Sequence, residues 1–212
     1  MKKKVGVFLY AVLAGMAIGI GGSVFLSQFS NRIVGTFLFT VGLFTICSFG
    51  LNLFTGKVCY VFDNPPSYII DLVIIWLGNL CGTFIMAFIL SLTRLGGTFA
   101  ANAAELAAVK NSDSLLSLFL LGLVCNMLIY IAVEGYKTIP HELGKYLALI
   151  FGVMVFILIG TEHSVADMFY YAAAGELFTA DAITRLVIIT AGNAVGGVIF
   201  PLGKKLKEHL DK

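Results

Sequence analysis

The chain has 212 residues, of which 59% are hydrophobic and only 12% charged, with a mean hydropathy of +0.97; soluble domains average roughly 25% charged. A single water-soluble core is excluded, because it would leave too much apolar surface facing water, whereas a bilayer solvates helices that are apolar all round. A formal net charge of +2 with no basic, aromatic-interleaved stretch points away from nucleic acid as a partner.

At about 20 residues per crossing, six apolar stretches use nearly the whole length. They are predicted over 5–29, 33–62, 67–92, 115–133, 143–172 and 182–203. The first follows Lys2, Lys3 and Lys4 and reads as an anchored helix, since further spans follow and no small-residue cleavage pattern is present. The second and fifth exceed what a bilayer needs and carry polar residues at mid-length, Ser48 to Asn52 and Gly160 to His163, which predicts broken helices. Turn signals mark the connections: Asn31-Arg32, Asp63-Asn64-Pro65-Pro66, the longer polar stretch 93–114, Lys137 to Pro140, and Gly175 to Asp181. Nine Lys and Arg residues fall on the side of the termini and four opposite, which predicts that both termini are cytoplasmic.

Cys47, Cys59, Cys81 and Cys125 lie in apolar runs without a CxxC pair and read as small buried thiols. No HExxH, GxSxG, P-loop or suitably spaced carboxylate pair occurs, so neither an enzyme nor a bound cofactor or metal is expected.

An internal repeat organises the chain. Gly50-Leu51-Asn52-Leu53-Phe54-Thr55 aligns with Gly160-Thr161-Glu162-His163-Ser164-Val165 at an offset of 110, and Gly78-Asn79-Leu80-Cys81-Gly82 aligns with Gly192-Asn193-Ala194-Val195-Gly196 at an offset of 114. With three spans in each half, about 5–92 and 115–203, the second half enters the membrane in the opposite sense, which gives an inverted 3+3 repeat within one domain, 1–212. Such repeats form a transport path at their interface. Breaks near Gly50 and Gly160 would leave two half-helices whose N-termini face the membrane centre, where unpaired N–H groups favour an anion. Asn52, Thr55 and His163 would lie at that convergence. Glu162 and His163 are intramembrane ionisable residues, and so candidate site residues by default. Asn79 and Asn193, flanked by glycines, are expected to bond backbone at close helix contacts.

Leu53-Phe54-Thr55 after Gly50, Gly78-Asn79-Leu80, Cys125-Asn126, and Glu162-His163-Ser164 followed by Ala166 and Met168 together resemble the formate/nitrite transporter family over nearly the whole chain. The resemblance implies an aquaporin-like six-helix protomer in a homopentamer within the cell inner membrane. It implies that His163 is the central pore histidine, Thr55 the threonine of the span-two break, Lys110 a vestibule lysine and Asn126 part of the site. Phe39, Leu43, Leu53, Phe54 and Phe156 match the apolar constrictions on either side of the histidine. Asp167 stands where the family usually has Asn, and Asn52 where several members carry an acid; the chain also begins almost directly at its first span, without the family's amphipathic N-terminal helix.

The expected function is a passive or proton-linked pathway for a small monovalent weak-acid anion, formate or nitrite first and hydrosulfide next. An aquaporin-like channel for a neutral solute such as ammonia or water is the alternative, and a transport readout separates the two.

Overall fold

Long runs of Leu, Ile, Val, Phe and Ala leave a membrane-embedded backbone no polar partner but itself, and helices satisfy that demand segment by segment. In the computed structural model, which describes residues 2–211, every regular element is accordingly helical. In chain order these are α1 (Lys2–Ser27), α2 (Arg32–Phe39), α3 (Val41–Phe49), α4 (Phe54–Lys57), a 3₁₀ segment (Val58–Asp63), α5 (Tyr68–Ser91), α6 (Gly96–Ser112), α7 (Leu115–Thr138), α8 (Glu142–Leu158), α9 (Ser164–Ala173) and α10 (Ala180–Leu210). Among the described residues, α1, α2 with α3, α5, α7 and α10 are long and apolar enough to cross a membrane. Two shorter pieces, α8 and α9 of 17 and 10 residues, make up the predicted fifth span.

The predicted second span is more divided than expected. The Thr40 hydroxyl bonds back to the Phe37 carbonyl at 2.6 Å and separates α2 from α3. Beyond the break lie only the single turn α4 and the 3₁₀ segment. The stretch 93–114, expected as a polar connection, is mostly the helix α6. Its polarity hid its helix propensity: Ala100, Ala101, Ala103, Ala104, Ala107 and Ala108 lie in nine residues, and alanine is the strongest helix former. Ala103 and Ala107 have no exposed surface, so the small face of α6 packs tightly, chiefly on α9. Cys81, expected to be buried, is exposed on α5.

Two long crossings frame the molecule, α1 on α5 and α7 on α10. Each brings backbone against backbone at a glycine: a Cβ on Gly82 would collide with the Val12 carbonyl, and one on Gly196 with the Leu123 carbonyl. Contacts at the chain ends set the remaining geometry. Lys4 pairs with Asp71, the Tyr68 hydroxyl donates to the Lys57 carbonyl at 3.3 Å, and Lys205 bridges Asp63 at 2.6 Å and the Phe62 carbonyl at 2.8 Å. The start of α1 and the end of α10 therefore share one end of the bundle. Arg185, at the start of α10, meets the C-terminus of α6 at the other.

Candidate functional site

The two breaks are built alike. α3 ends at Gly50 and α8 just before Gly160, whose φ values of 66° and 75° lie in the left-handed region that glycine adopts without penalty. The next residue in each case bonds back five positions, Leu51 N–H to the Ile46 carbonyl and Thr161 N–H to the Phe156 carbonyl, both at 3.0 Å, closing each helix end as a Schellman motif does. The chain then runs extended to Leu53 in one break and His163 in the other before the next helix begins.

An asparagine pins each extended stretch from the neighbouring crossing. Asn79 of α5 accepts from Phe54 N–H at 2.8 Å and donates to the carbonyls of Ala11 and Asn52. Asn193 of α10 accepts from Ser164 N–H at 2.9 Å and donates to the carbonyls of Gly122 and Glu162. Both side chains are fully buried and bond backbone, as their glycine flanks predict. These bonds revise the electrostatics expected at the centre. The first amide of each half-helix is already taken, a third, that of Ala166, donates to His163 Nδ1 at 3.1 Å, and α4 is a single turn of four residues. The breaks therefore present fewer free N–H groups than expected, those of Thr55, Gly56 and Val165 among them.

They present a histidine facing a threonine. His163 Nε2 lies 2.8 Å from Thr55 Oγ1, with both residues buried. Because Nδ1 accepts a backbone N–H, the arrangement suits the neutral ring with its proton on Nε2, which then donates to Thr55. The Thr55 carbonyl in turn accepts from Asn126 at 3.0 Å, and the same Asn126 amide donates to the Asn193 carbonyl at 2.7 Å. Asn126 thus holds the threonine's backbone.

Two cavities with no lining residue in common lie along the molecule. The larger, about 450 Å³, sits toward the end opposite the termini and is lined by His163, Phe39, Phe156, Lys110, Glu162 and Asp167 among others. The smaller, about 120 Å³, sits toward the terminal end, where Leu43, Leu53, Lys57 and Lys137 line it without an acidic residue. Phe156 stacks on the His163 ring at 5.6 Å and meets Phe39 edge-on at 6.3 Å. Phe39 and Phe156 on the wall of the larger cavity, and Leu43 and Leu53 on that of the smaller, are all at most 3% exposed. Phe54 is buried but lines neither cavity, its amide engaged by Asn79.

Asn52, predicted at the convergence, is instead tied to α1: its amide side chain donates to the Val7 carbonyl at 3.2 Å and its N–H to the Tyr10 carbonyl at 3.3 Å. Lys110, predicted as a vestibule cation, does line the larger cavity, but its ammonium contacts Glu162 Oε2 and sits 3.1 Å from Asp167 Oδ1. Burial opposes its charge, and the two carboxylates outweigh burial and hold the ammonium above its ordinary range. Sequence reasoning missed Arg185. Its guanidinium donates to the carbonyls of Lys110, Asn111 and Asp113 at 2.6 to 2.8 Å, capping α6 and fixing where Lys110 stands. The signal available was a lone arginine at a helix start, which gives no hint of a partner 75 residues away.

The family model for the formate/nitrite transporters matches residues 2–203. A probable formate transporter of Methanothermobacter thermautotrophicus is 30% identical over 191 residues, covering 77% of this chain and 70% of the relative. The nitrite transporter NirC of Salmonella typhimurium is 27% identical over 220 residues, covering 92% and 80% respectively. A solved pentameric formate channel with formate bound superposes with a TM-score of 0.85 at 26% identity, over 99% of this chain and 98% of that one.

Proposed function

This chain belongs to the formate/nitrite transporter family, and on that footing we propose that it is a channel for a small monovalent weak-acid anion, with formate or nitrite ahead of hydrosulfide and His163 at the centre of the path. The observation that carries this reading is the buried His163–Thr55 pair, with Phe39, Phe156, Leu43 and Leu53, on the walls of the two cavities, read as an apolar plug between them. A fully dehydrated monovalent ion in a medium as apolar as that plug costs tens of kcal/mol by simple solvation estimates, and a neutral hydrogen-bonding molecule only a few. An anion that takes up a proton beside His163 crosses as its weak acid and gives the proton back in the second cavity. That proton comes from solvent in the cavity; the Nε2–H of His163 and the hydroxyl of Thr55 keep theirs and serve as hydrogen-bond donors to the anion at that step. Formate and nitrite fit because each needs one proton to become neutral and each is compact.

The architecture follows the same reading. Six crossings, with α2 to α4 and α8 to α9 as the broken second and fifth, place the two halves in opposite senses about a pseudo-two-fold axis. The bonds of Asn79 and Asn193, repeated at matching positions of the two breaks, support that relation. The exposed apolar faces, Val5, Leu9, Phe49, Ile69, Phe88 and Leu116 among them, suit lipid or neighbouring subunits. A homopentamer in the cell inner membrane with cytoplasmic termini accords with the assembly of the formate channel it resembles and with the lysines gathered at the terminal end.

Uptake of formate, nitrite and hydrosulfide into proteoliposomes, across external pH of about 5 to 8, where the supply of protons to the anion changes about a thousandfold, tests the reading beside His163→Phe. Saturable, pH-dependent flux of one anion that the variant loses is the expected result. Water or ammonia permeation with no anion flux would assign the path to neutral solutes instead.

A further inference from the structure

Lys110, Glu162 and Asp167 form a cluster of one cation and two anions, each 8% exposed or less, on the wall of the larger cavity. The lysine contacts Glu162 Oε2 and Asp167 Oδ1. Asp167 Oδ2 is buried with no hydrogen-bond partner among the described residues. The groups that face Asp167 offer no second cation. From the break come Glu162 and His163, from α9 Tyr170 and Tyr171, and from α7 Cys125. Arg185 is spent on the carbonyls at the end of α6, and Arg32 and Glu105, elsewhere on the cavity wall, carry opposite charges. With both carboxylates ionised the cluster carries a net charge of −1, and two like charges would share one buried site.

We propose that Asp167 is a proton-binding site of the larger cavity: with Glu162 in contact with Lys110, Asp167 carries a proton on Oδ2, and release of that proton turns the cavity anionic and turns anions away. On release the Oδ2–H bond breaks, the electron pair stays on the carboxylate, and the proton passes to water in the cavity. The site sits on the wall that His163 shares, yet it acts on entry, before the plug is reached. The entry of an anion then falls as pH rises for a reason independent of the histidine. The flux consequence rests on the anion-path reading above; the proton itself does not.

Infrared spectroscopy of the purified protein reads the proton directly. The parent protein at neutral pH should show the C=O stretch of a protonated carboxylic acid, shifted in D₂O, disappearing on alkaline titration and missing from Asp167→Asn. Absence of such a band in the parent, which needs no variant to fold, would overturn the proposal, as would its persistence in a folded Asp167→Asn. In proteoliposomes the ratio of formate uptake at high to low pH should rise several-fold in Asp167→Asn over the parent, and an unchanged ratio would overturn the entry mechanism. A parent that shows the Asp167 band yet passes no anion would support the proton site and count against the channel reading alone.

Discussion

Leu53 and His163 occupy the same place in the two halves of the molecule. Each is the last extended residue of its break, with φ and ψ of −95° and 128° for Leu53 and −108° and 105° for His163, and each precedes an amide held by a buried asparagine. The backbone at His163 is thus one that the protein also builds around a leucine, which separates what the imidazole does for the path from what it does for the fold.

Replacing His163 with Leu should leave an intact oligomer. The variant loses the Nδ1 cap on Ala166, worth about 1 kcal/mol, and leaves Thr55 Oγ1 without its partner. A thermal midpoint lowered by a few degrees, with unchanged elution on size exclusion and no pH-dependent anion uptake, is expected.

Asn79→Ala and Asn193→Ala should be equally damaging. Each strips the first amide of its half-helix and the carbonyl inside the break, that of Asn52 or Glu162, of their partners, and removes a second bond to a helix carbonyl; each unsatisfied group costs about 1–3 kcal/mol. Both variants should lose most of their folded yield in detergent, and a marked difference between them would show that the two breaks are not held alike. Aspartate at either position keeps the acceptor but not the two donors, and should fall between alanine and the parent.

Lys110→Met should be worse than losing either carboxylate. Removing one partner of a buried pair leaves an uncompensated charge and costs about 3–5 kcal/mol, whereas replacing a whole buried cluster with neutral groups is often tolerated. The triple variant Lys110→Met, Glu162→Gln, Asp167→Asn should therefore melt higher than Lys110→Met alone. The raised Lys110 pKa adds stability that is fully present below the ordinary lysine value and is lost only as pH climbs through the raised one. Lysine protonation should accordingly contribute no slope to stability across neutral pH.

Gly82→Ala and Gly196→Ala test the two long crossings. A methyl group at either position meets a backbone carbonyl that cannot turn aside, so the helices must separate. Reduced expression and loss of the native oligomer are expected from each. Gly203→Ala, at a site with open space around it, should be silent.

Much of this was legible in the sequence because backbone demands leave local signatures. A glycine followed by polar residues in an apolar run marks a helix that must stop and be capped, and both stops were read at Gly50 and Gly160. The flanking glycines of Asn79 and Asn193 marked close approach. What escaped depends on distant partners or on register. Asn52 and His163 are both polar residues of a break, but position 52 turns its side chain to α1 and position 163 does not, and nothing local distinguishes them. Lys110 reads as a free cation until the chain brings Glu162 and Asp167 to it. The helix α6 was read as a connection because low hydropathy signals the absence of a span, and an alanine-rich helix packed on its neighbours needs none.

The two cavities also differ in a way the matching backbones do not. Lys57 and Lys137 line the smaller one with no acid on its wall, while on the wall of the larger Arg32 and Lys110 stand against Glu105 and Glu162, with Asp167 adding a negative charge once its proton is lost. Local potential sets how often an ion reaches a narrow mouth, so an anion arrives faster from the terminal end than from the other. At equilibrium the opposing flows still balance. Under an applied voltage they do not respond equally, and a current carried by anions through this protein should rectify, with a polarity set by the charged side chains on the two walls.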